Sequence, residues 1–421
     1  MSTSKGFLVL GKGIEPTISG SARLVRQAGG RVVYHPPMRT LLAMLAACVV
    51  GSGCDSTSRL SPVASREIGL ASSVVTAEER AVIEGEVREH LKLPSGTALG
   101  SIEFARVTEL NLRSEAITDA GVAWLADPAT GFKGLTTLVL RDTKVTDAGL
   151  KHLAHERTGL KGLRSFEILE MEVTGVGVTD AGVKALASAD TGLNNLTSLW
   201  LWCNGVTDAG VNELARAGTG LNGLMKLDLR GSLATDAGVL DLARTDTGLK
   251  GLTELSLGGE RMTDVALHAL ACTDTGLKHL TDLVMVNTQV TDEGLKTIAR
   301  HGTGLKGLTR LVIPAPRVTD AGLRELARPG TGLARLTSLT IGWDGVTDVG
   351  VMALARPDTG LSGLTDLGVL SKAVTDAGIK DLARVDTGLK GLTSLSLQRS
   401  SVSDAGAAAA EARWPGISIV R

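Results

Sequence analysis

The sequence predicts an α/β solenoid, and three observations carry that prediction. The tetrapeptide Thr-Asp-Ala-Gly, or a near variant, begins at Thr118, Thr146, Thr179, Thr207, Thr235, Thr263, Thr291, Thr319, Thr347, Thr375 and Ser403; every interval is 28 residues except the 33 between Thr146 and Thr179. Chance does not maintain such a period, and a unit this short buries its apolar side only by stacking on its neighbours. Within each unit an alternating apolar run precedes a run with helical spacing, so a strand is followed by a helix. The 421 residues include only five Trp, four Phe and one Tyr although 43% are hydrophobic; the core must therefore be aliphatic and regularly layered rather than filled by bulky rings.

The same composition excludes several classes. A chain 43% hydrophobic and 21% charged is too apolar for wholesale disorder. A net charge of −1 and four cysteines argue against a nucleic-acid binder and against a disulfide framework.

Taken in order, residues 1–37 show no periodic pattern and read as a gene-model extension or a leader, with translation beginning at Met38. Residues 38–53 read as a secretory signal: Met38-Arg39-Thr40, an apolar run from Leu41 to Val50, then Gly51-Ser52-Gly53-Cys54. The run is too short to cross a bilayer of about 30 Å. Small residues before a cysteine resemble the lipobox of bacterial lipoproteins. That resemblance implies a lipid on Cys54, with Leu45-Ala46-Ala47-Cys48 offering Cys48 as the alternative, and a lipid-anchored location in the bacterial cell envelope, on its periplasmic or surface face. Residues 54–75, rich in Ser and small side chains, form a flexible tether.

Residues 76–101 form the N-terminal cap. Thr76-Ala-Glu-Glu79 is a capping box that opens a helix to about Lys92, with Ile83, Val87 and Leu91 on one face, sealing a first strand around Val107 to Leu112. The array fills residues 102–421. In the unit Leu392 to Val402 the pattern Leu-x-x-Leu-x-Leu-x-x-Ser-x-Val turns Leu395 and Leu397 inward and Ser394, Ser396 and Gln398 outward. From Thr375, Ala377, Ile379, Leu382 and Ala383 share one helix face. Thr caps each helix and the following Asp meets the positive end of its dipole; Arg384 sits near the negative end, and Gly388 of the recurrent Thr-Gly pair is expected at positive φ as a C-terminal cap. The long interval reads as an insertion from Thr174 to Val178. From about residue 403 the array closes, with Trp414 over its last layer.

This pattern resembles the leucine-rich repeat family over roughly residues 102–421, in particular its 28-residue ribonuclease-inhibitor-like and cysteine-containing subclasses and the Thr-Asp-Ala-Gly-Leu repeats of bacterial surface lipoproteins. Strands stack at about 4.8 Å and helices at about 8–10 Å, so the expected shape is a horseshoe, with a parallel sheet on its concave face and helices on its convex face. The ninth strand-motif position, Asn or Cys in the family, is here Thr143, Met171, Asn204, Ser232, Glu260, Thr288, Pro316, Asp344, Lys372 or Ser400. The buried ladder at that turn is thus mostly missing, and backbone or water must satisfy its polar groups. The resemblance implies a non-catalytic protein–protein interaction scaffold. Related repeats also occur in F-box-like substrate-recognition subunits of ubiquitin ligases, although residues 55–101 hold no evident three-helix F-box. A structural or adhesive surface spacer is the other alternative.

No chemistry rises above that expectation. His152 and His155 stand at i, i+3 with no third ligand at a metal-binding spacing. Cys203 and Cys272 are two and a half repeats apart, too far for a disulfide. The eleven aspartates from Asp119 to Asp404 suggest a calcium ladder, but helix-start electrostatics accounts for them. Gly-Leu-Lys-Gly-Leu follows a helix and so lies at the wrong dipole end for phosphate. The chain is expected to be no enzyme and to hold no cofactor or metal. The concave face departs from what the fold needs: it carries Trp200, Trp202 and Trp343, and an apolar strip that includes Val284, Val286 and Val312, beside Arg141, Asp142, Arg164, Glu167, Glu170, Lys226, Asp228 and Arg230. Aromatic anchors in an apolar strip bordered by charge suit a protein partner. A glycan stacked on Trp200 and Trp202 is the alternative ligand; nucleic acid is not expected, the membrane is met only through the N-terminal lipid, and the chain is expected to be a monomer.

Overall fold

A computed structural model describes residues 74–170 and 177–421. The leader, the signal, Cys48, Cys54, the tether up to residue 73, Met171 and the first three residues of the insertion lie outside the described residues. The described residues belong to one compact unit.

Twelve parallel strands form one open sheet, each paired with its sequence neighbours: β1 (Glu109–Arg113), β2 (Thr137–Arg141), β3 (Ser165–Leu169), β4 (Ser198–Trp202), β5 (Lys226–Asp228), β6 (Glu254–Gly258), β7 (Asp282–Val286), β8 (Arg310–Ile313), β9 (Ser338–Ile341), β10 (Asp366–Val369), β11 (Ser394–Ser396) and β12 (Ser418–Val420). A helix beginning at the aspartate of the Thr-Asp-Ala-Gly motif or its variant, such as Asp236–Ala243, follows every strand from β1 to β11. This is the leucine-rich repeat solenoid that the 28-residue period predicts. Leu138 pairs with Phe166, and Phe166 pairs with Leu199, so the sheet keeps its register across the longer interval.

The core is a stack of aliphatic layers. In one unit Leu224, Leu227, Leu229, Val239, Leu242 and Leu249 are all buried, each contributing about 1.5–3 kcal/mol of burial free energy. Rings concentrate at the N-terminal end, where Phe104 stacks on Phe132 at 4.6 Å and Trp124 meets both edge-on. Phe104 comes from a short helix, Ser101–Ala105, that periodicity did not reveal because five residues span barely more than one turn. At the far end Trp414 is buried and its Nε1 donates to Leu389 O, closing the last layer.

The aspartates do more than meet a helix dipole. Asp208 accepts from the next repeat three times: Oδ1 from Thr235 N at 2.7 Å and Gly238 N at 2.9 Å, Oδ2 from Thr235 Oγ1 at 2.7 Å. Thr235 Oγ1 in turn accepts from Ala237 N, capping its own helix. The Thr or Ser contacts repeat from Asp119 to Asp376. A ladder of charge-assisted hydrogen bonds therefore runs through the array, and its oxygens are spent on the next repeat rather than on a cation. Glycine follows from the ladder: a Cβ at Gly238 would lie 2.7 Å from Asp208 Oδ1. Where Ala266 replaces that glycine, its N–H stands 3.2 Å from Asp236 Oδ1 instead of 2.8–3.0 Å.

The cap joins the same ladder. The helix Ala77–Leu91 opens with the expected capping box, and Glu79 Oε2 accepts from Thr76 N. Its other oxygen plays the aspartate's part, accepting from Thr118 N at 3.0 Å, Thr118 Oγ1 at 2.6 Å and Gly121 N at 3.0 Å. Apart from Gly131, at φ 101°, the Thr-Gly glycines do not occupy the expected C-cap conformation. Gly388 is not at positive φ; its N–H donates to Ala355 O of the preceding repeat, and a Cβ there would strike Arg356 O. Close approach between repeats, rather than a left-handed turn, requires glycine.

Two outcomes follow. Asp208→Ala should lower unfolding free energy in urea by about 3 kcal/mol, since it strands three donors of the next repeat, whereas Asp404→Ala, whose carboxylate is exposed and meets only Arg421, should change it by less than about 1 kcal/mol. Burial pushes the Glu79 carboxyl up, but hydrogen bonds from Thr118 and Thr76 outweigh it and hold it below its ordinary value of 4.5. That stabilisation is present above 4.5 and is lost as pH falls through the depressed value, so Glu79→Gln should flatten the acid limb of a stability–pH profile.

Candidate interaction face

Side chains at alternate strand positions leave the core and form the open face of the sheet, where nothing in the fold dictates their identity. On β4 these are Ser198, Trp200 and Trp202. The two indoles lie nearly parallel, centroids 6.4 Å apart and planes 13° apart, each half-buried. Strand register places Glu167 beside Trp200 on one side and Asp228 on the other.

Trp202 is held in place. Its Nε1 donates to Asp228 Oδ1 at 2.9 Å, and the Arg230 guanidinium lies 4.6 Å from its ring centroid. Arg230 binds the same carboxylate through Nη2 at 2.7 Å and Nε at 3.0 Å. Asp228 is itself buried, so ring, carboxylate and guanidinium form one satisfied group and the cost of burying the charge is offset. The charges that sequence reading placed only as a border are thus partners of the tryptophan. The signal was available: Trp202, Asp228 and Arg230 fall at equivalent or adjacent face positions of consecutive repeats.

Trp200 is held less completely. Glu167 meets Arg141 at 3.9 Å, through one nitrogen. Burial pushes the Glu167 carboxyl above its ordinary value; Arg141 pulls it down, while Glu109 and Asp228 add to the rise.

The other predicted residues divide. Val286 and Val312 are half-buried on β7 and β8, beside Pro314, Thr340 and Leu370, and form a low apolar surface with the glycines Gly258, Gly342 and Gly368. Val284 belongs to the same face but is only 8% exposed, so it supports the surface more than it offers contact. Trp343 does not stand on the strand face. β9 ends at Ile341, and Trp343 sits in the following turn under the guanidinium of Arg399, 4.4 Å from its ring centroid. The turns themselves differ by one residue between repeats. Where the eighth motif residue is Cys203, Ala315 or Ser371 it is buried; where it is Gly231 or Asn287, the ninth residue, Ser232 or Thr288, is buried instead. In these five repeats a buried turn residue is kept, alternating between two positions; at Trp343 and Asp344 neither is buried. Cys203 is the buried turn residue in β4's repeat, facing the core rather than flanking Trp202 on the surface, and burial pushes its thiol well above the ordinary range.

On the helix side, His152 and His155 line a shallow hollow with Asp127, Arg157 and Thr158; among the described residues no three His, Cys, Asp or Glu side chains gather as a metal site requires. Cys203 and Cys272 are free thiols.

A family model described as Leucine Rich repeat matches residues 135–154 and 276–299. Among solved structures, an internalin (inlF) from Listeria monocytogenes is similar at a TM-score of 0.44 and 19% identity, covering 81% of this chain and 94% of that one. InlP from the same organism gives 0.38 and 12%, covering 71% and 69%. A chain of the yeast Rad7 and Elc1 complex gives 0.47 and 16%, covering 82% and 81%. No curated protein sequence matches this one.

Asp228→Ala should free both Trp202 and Arg230, lowering stability by about 2 kcal/mol and red-shifting tryptophan emission as the indole gains solvent. Because the Glu167 carboxyl is raised above 4.5, its environment disfavours the charged form: the associated stability is complete below 4.5 and lost as pH rises through the raised value. Emission should report that titration at Trp200, and Glu167→Gln should remove it.

Proposed function

Since this chain is a leucine-rich repeat protein, by its matched repeats and by a solenoid of twelve parallel strands, we propose that it is a non-catalytic scaffold that binds a protein partner on the open face of its sheet. The observation that carries this reading is the cluster of Trp200, Trp202, Asp228 and Arg230, which orders two large aromatic side chains on a surface where the fold asks for none. A preformed patch of this kind loses little conformational entropy on binding, and buried aromatics and arginine are the residues that most often dominate interface energetics. The low apolar surface from β6 to β10 extends the patch along the face.

The scaffold is anchored by lipid at Cys54, with Cys48 the alternative, on the periplasmic or surface face of the bacterial envelope, as a monomer; the lipobox-like Gly51-Ser52-Gly53-Cys54 supports that location. Mass spectrometry of the native N-terminus should find a diacylated cysteine, and an unmodified chain beginning at Met1 would remove the anchor from this reading.

Affinity capture from native envelope extract tests the binding face. The full chain should retain a saturable one-to-one partner that a Trp200→Ala, Trp202→Ala double variant, equally folded by circular dichroism, loses at least tenfold, as expected when two anchors of about 1–2 kcal/mol each are removed. Equal capture by both would place the interface elsewhere. Capture by neither would favour a spacer.

A further inference from the structure

We propose that the Trp200 end of this cluster receives one cationic side chain, an arginine or lysine of the protein partner, resting on the interaction-face reading above. The two tryptophans share one face of β4 but not the same set of partners. Trp202 has a carboxylate at its side, Asp228, and a guanidinium stacked on its ring, Arg230, with the two bound to each other at 2.7 and 3.0 Å. Trp200 has a carboxylate at its side, Glu167, on the neighbouring strand. Among the described residues no cation lies over the Trp200 ring; the cation contacts are those of Trp124, Trp202, Trp343 and Trp414. Trp200 therefore has a ring and a neighbouring carboxylate but no cation.

Arg141 does not supply the third. It reaches Glu167 at 3.9 Å through one nitrogen and its side chain is 44% exposed, while that of Glu167 is only 16% exposed. The result is a largely desolvated carboxylate with a loose partner, crowded by Glu109 and Asp228, whose charges push its protonation upward. Placing a cation there restores the charge balance, and the adjoining indole face attracts the same cation. An anionic ligand group would meet Glu167 and Asp228, and a neutral sugar would leave Glu167 as it is. Arginine suits the site better than lysine because its planar fork can stack on the ring and bind the carboxylate together, as Arg230 does on Trp202.

The test uses the full chain with ¹⁵N-labelled indoles and four capped heptapeptides, Gly-Ser-Ala-X-Ala-Ser-Gly, in which X is Arg, Lys, Gln or Glu. The Arg peptide should shift the Trp200 indole saturably with Kd on the order of 1 mM, the strength of one stacked ion pair, and the Gln and Glu peptides should not shift it at equal concentration. Glu167→Gln should weaken the Arg peptide at least about tenfold. Arg141→Gln, which removes the loose competitor, should strengthen it about threefold; a merely damaged fold would not produce that opposite sign. Equal shifts by the Gln or Glu peptide, a shift by methyl glucoside in place of the Arg peptide, or no shift by any peptide would overturn the proposal. Partner capture that depends on Trp200 without any arginine preference would overturn it too, and would leave the interaction-face reading standing.

Discussion

The hydrogen bonds that each aspartate from Asp119 to Asp376 accepts from the Thr or Ser of the following repeat are the constraint from which the rest of the array follows. A carboxylate that accepts both the amide and the hydroxyl of the next threonine fixes two neighbouring helices in position and orientation with one side chain. Because the same hydroxyl caps its own helix, the link between repeats and the start of the helix are one structure. Stability in such an array is close to a sum of unit and nearest-neighbour terms, and this ladder is a polar part of every neighbour term. The cap at Glu79 shows how strict the requirement is: a different residue, on a different helix, reaches the same three donors.

The ladder also explains where the sequence repeats and where it varies. Thr, Asp and the glycine of Thr-Asp-Ala-Gly are held by the ladder, and the glycine of Thr-Gly is held by a close backbone approach to the preceding repeat. Strand leucines are held by the aliphatic core. The face positions of each strand answer to none of these demands, so charge, size and aromaticity are free to differ from repeat to repeat. A surface whose residues are unconstrained by folding, yet hydrogen-bonded and stacked into an ordered cluster at Trp200 and Trp202, is where a binding role has room to reside. The Asp228 and Arg230 contacts also make that surface rigid, which lowers the entropy lost on association.

The site was legible in part. Trp200 and Trp202 could be placed on the open face from alternation alone, since i and i+2 share a side of a strand. Their grouping with Glu167, Asp228 and Arg230 depends on pairing between strands 26–33 residues apart in sequence and on rotamers, neither of which a single strand's pattern encodes. Trp343 was misplaced because its strand ends two residues earlier, at Ile341, and leaves the side chain in the turn. Val284 looked exposed by alternation, but it is buried.

By itself, the sequence determined the fold: a 28-residue period, an alternating strand and a threonine-capped helix admit one architecture, because each is a local signal that agrees with the others. It also located the cap at Thr76 and the sealing role of Trp414. Only the tertiary structure decided what the aspartates and glycines are for, since their partners lie one repeat away and a local reading assigns them to the nearest helix end. The same holds for the face: sequence could say which side chains leave the core, while contact between strands decided which of them form a site.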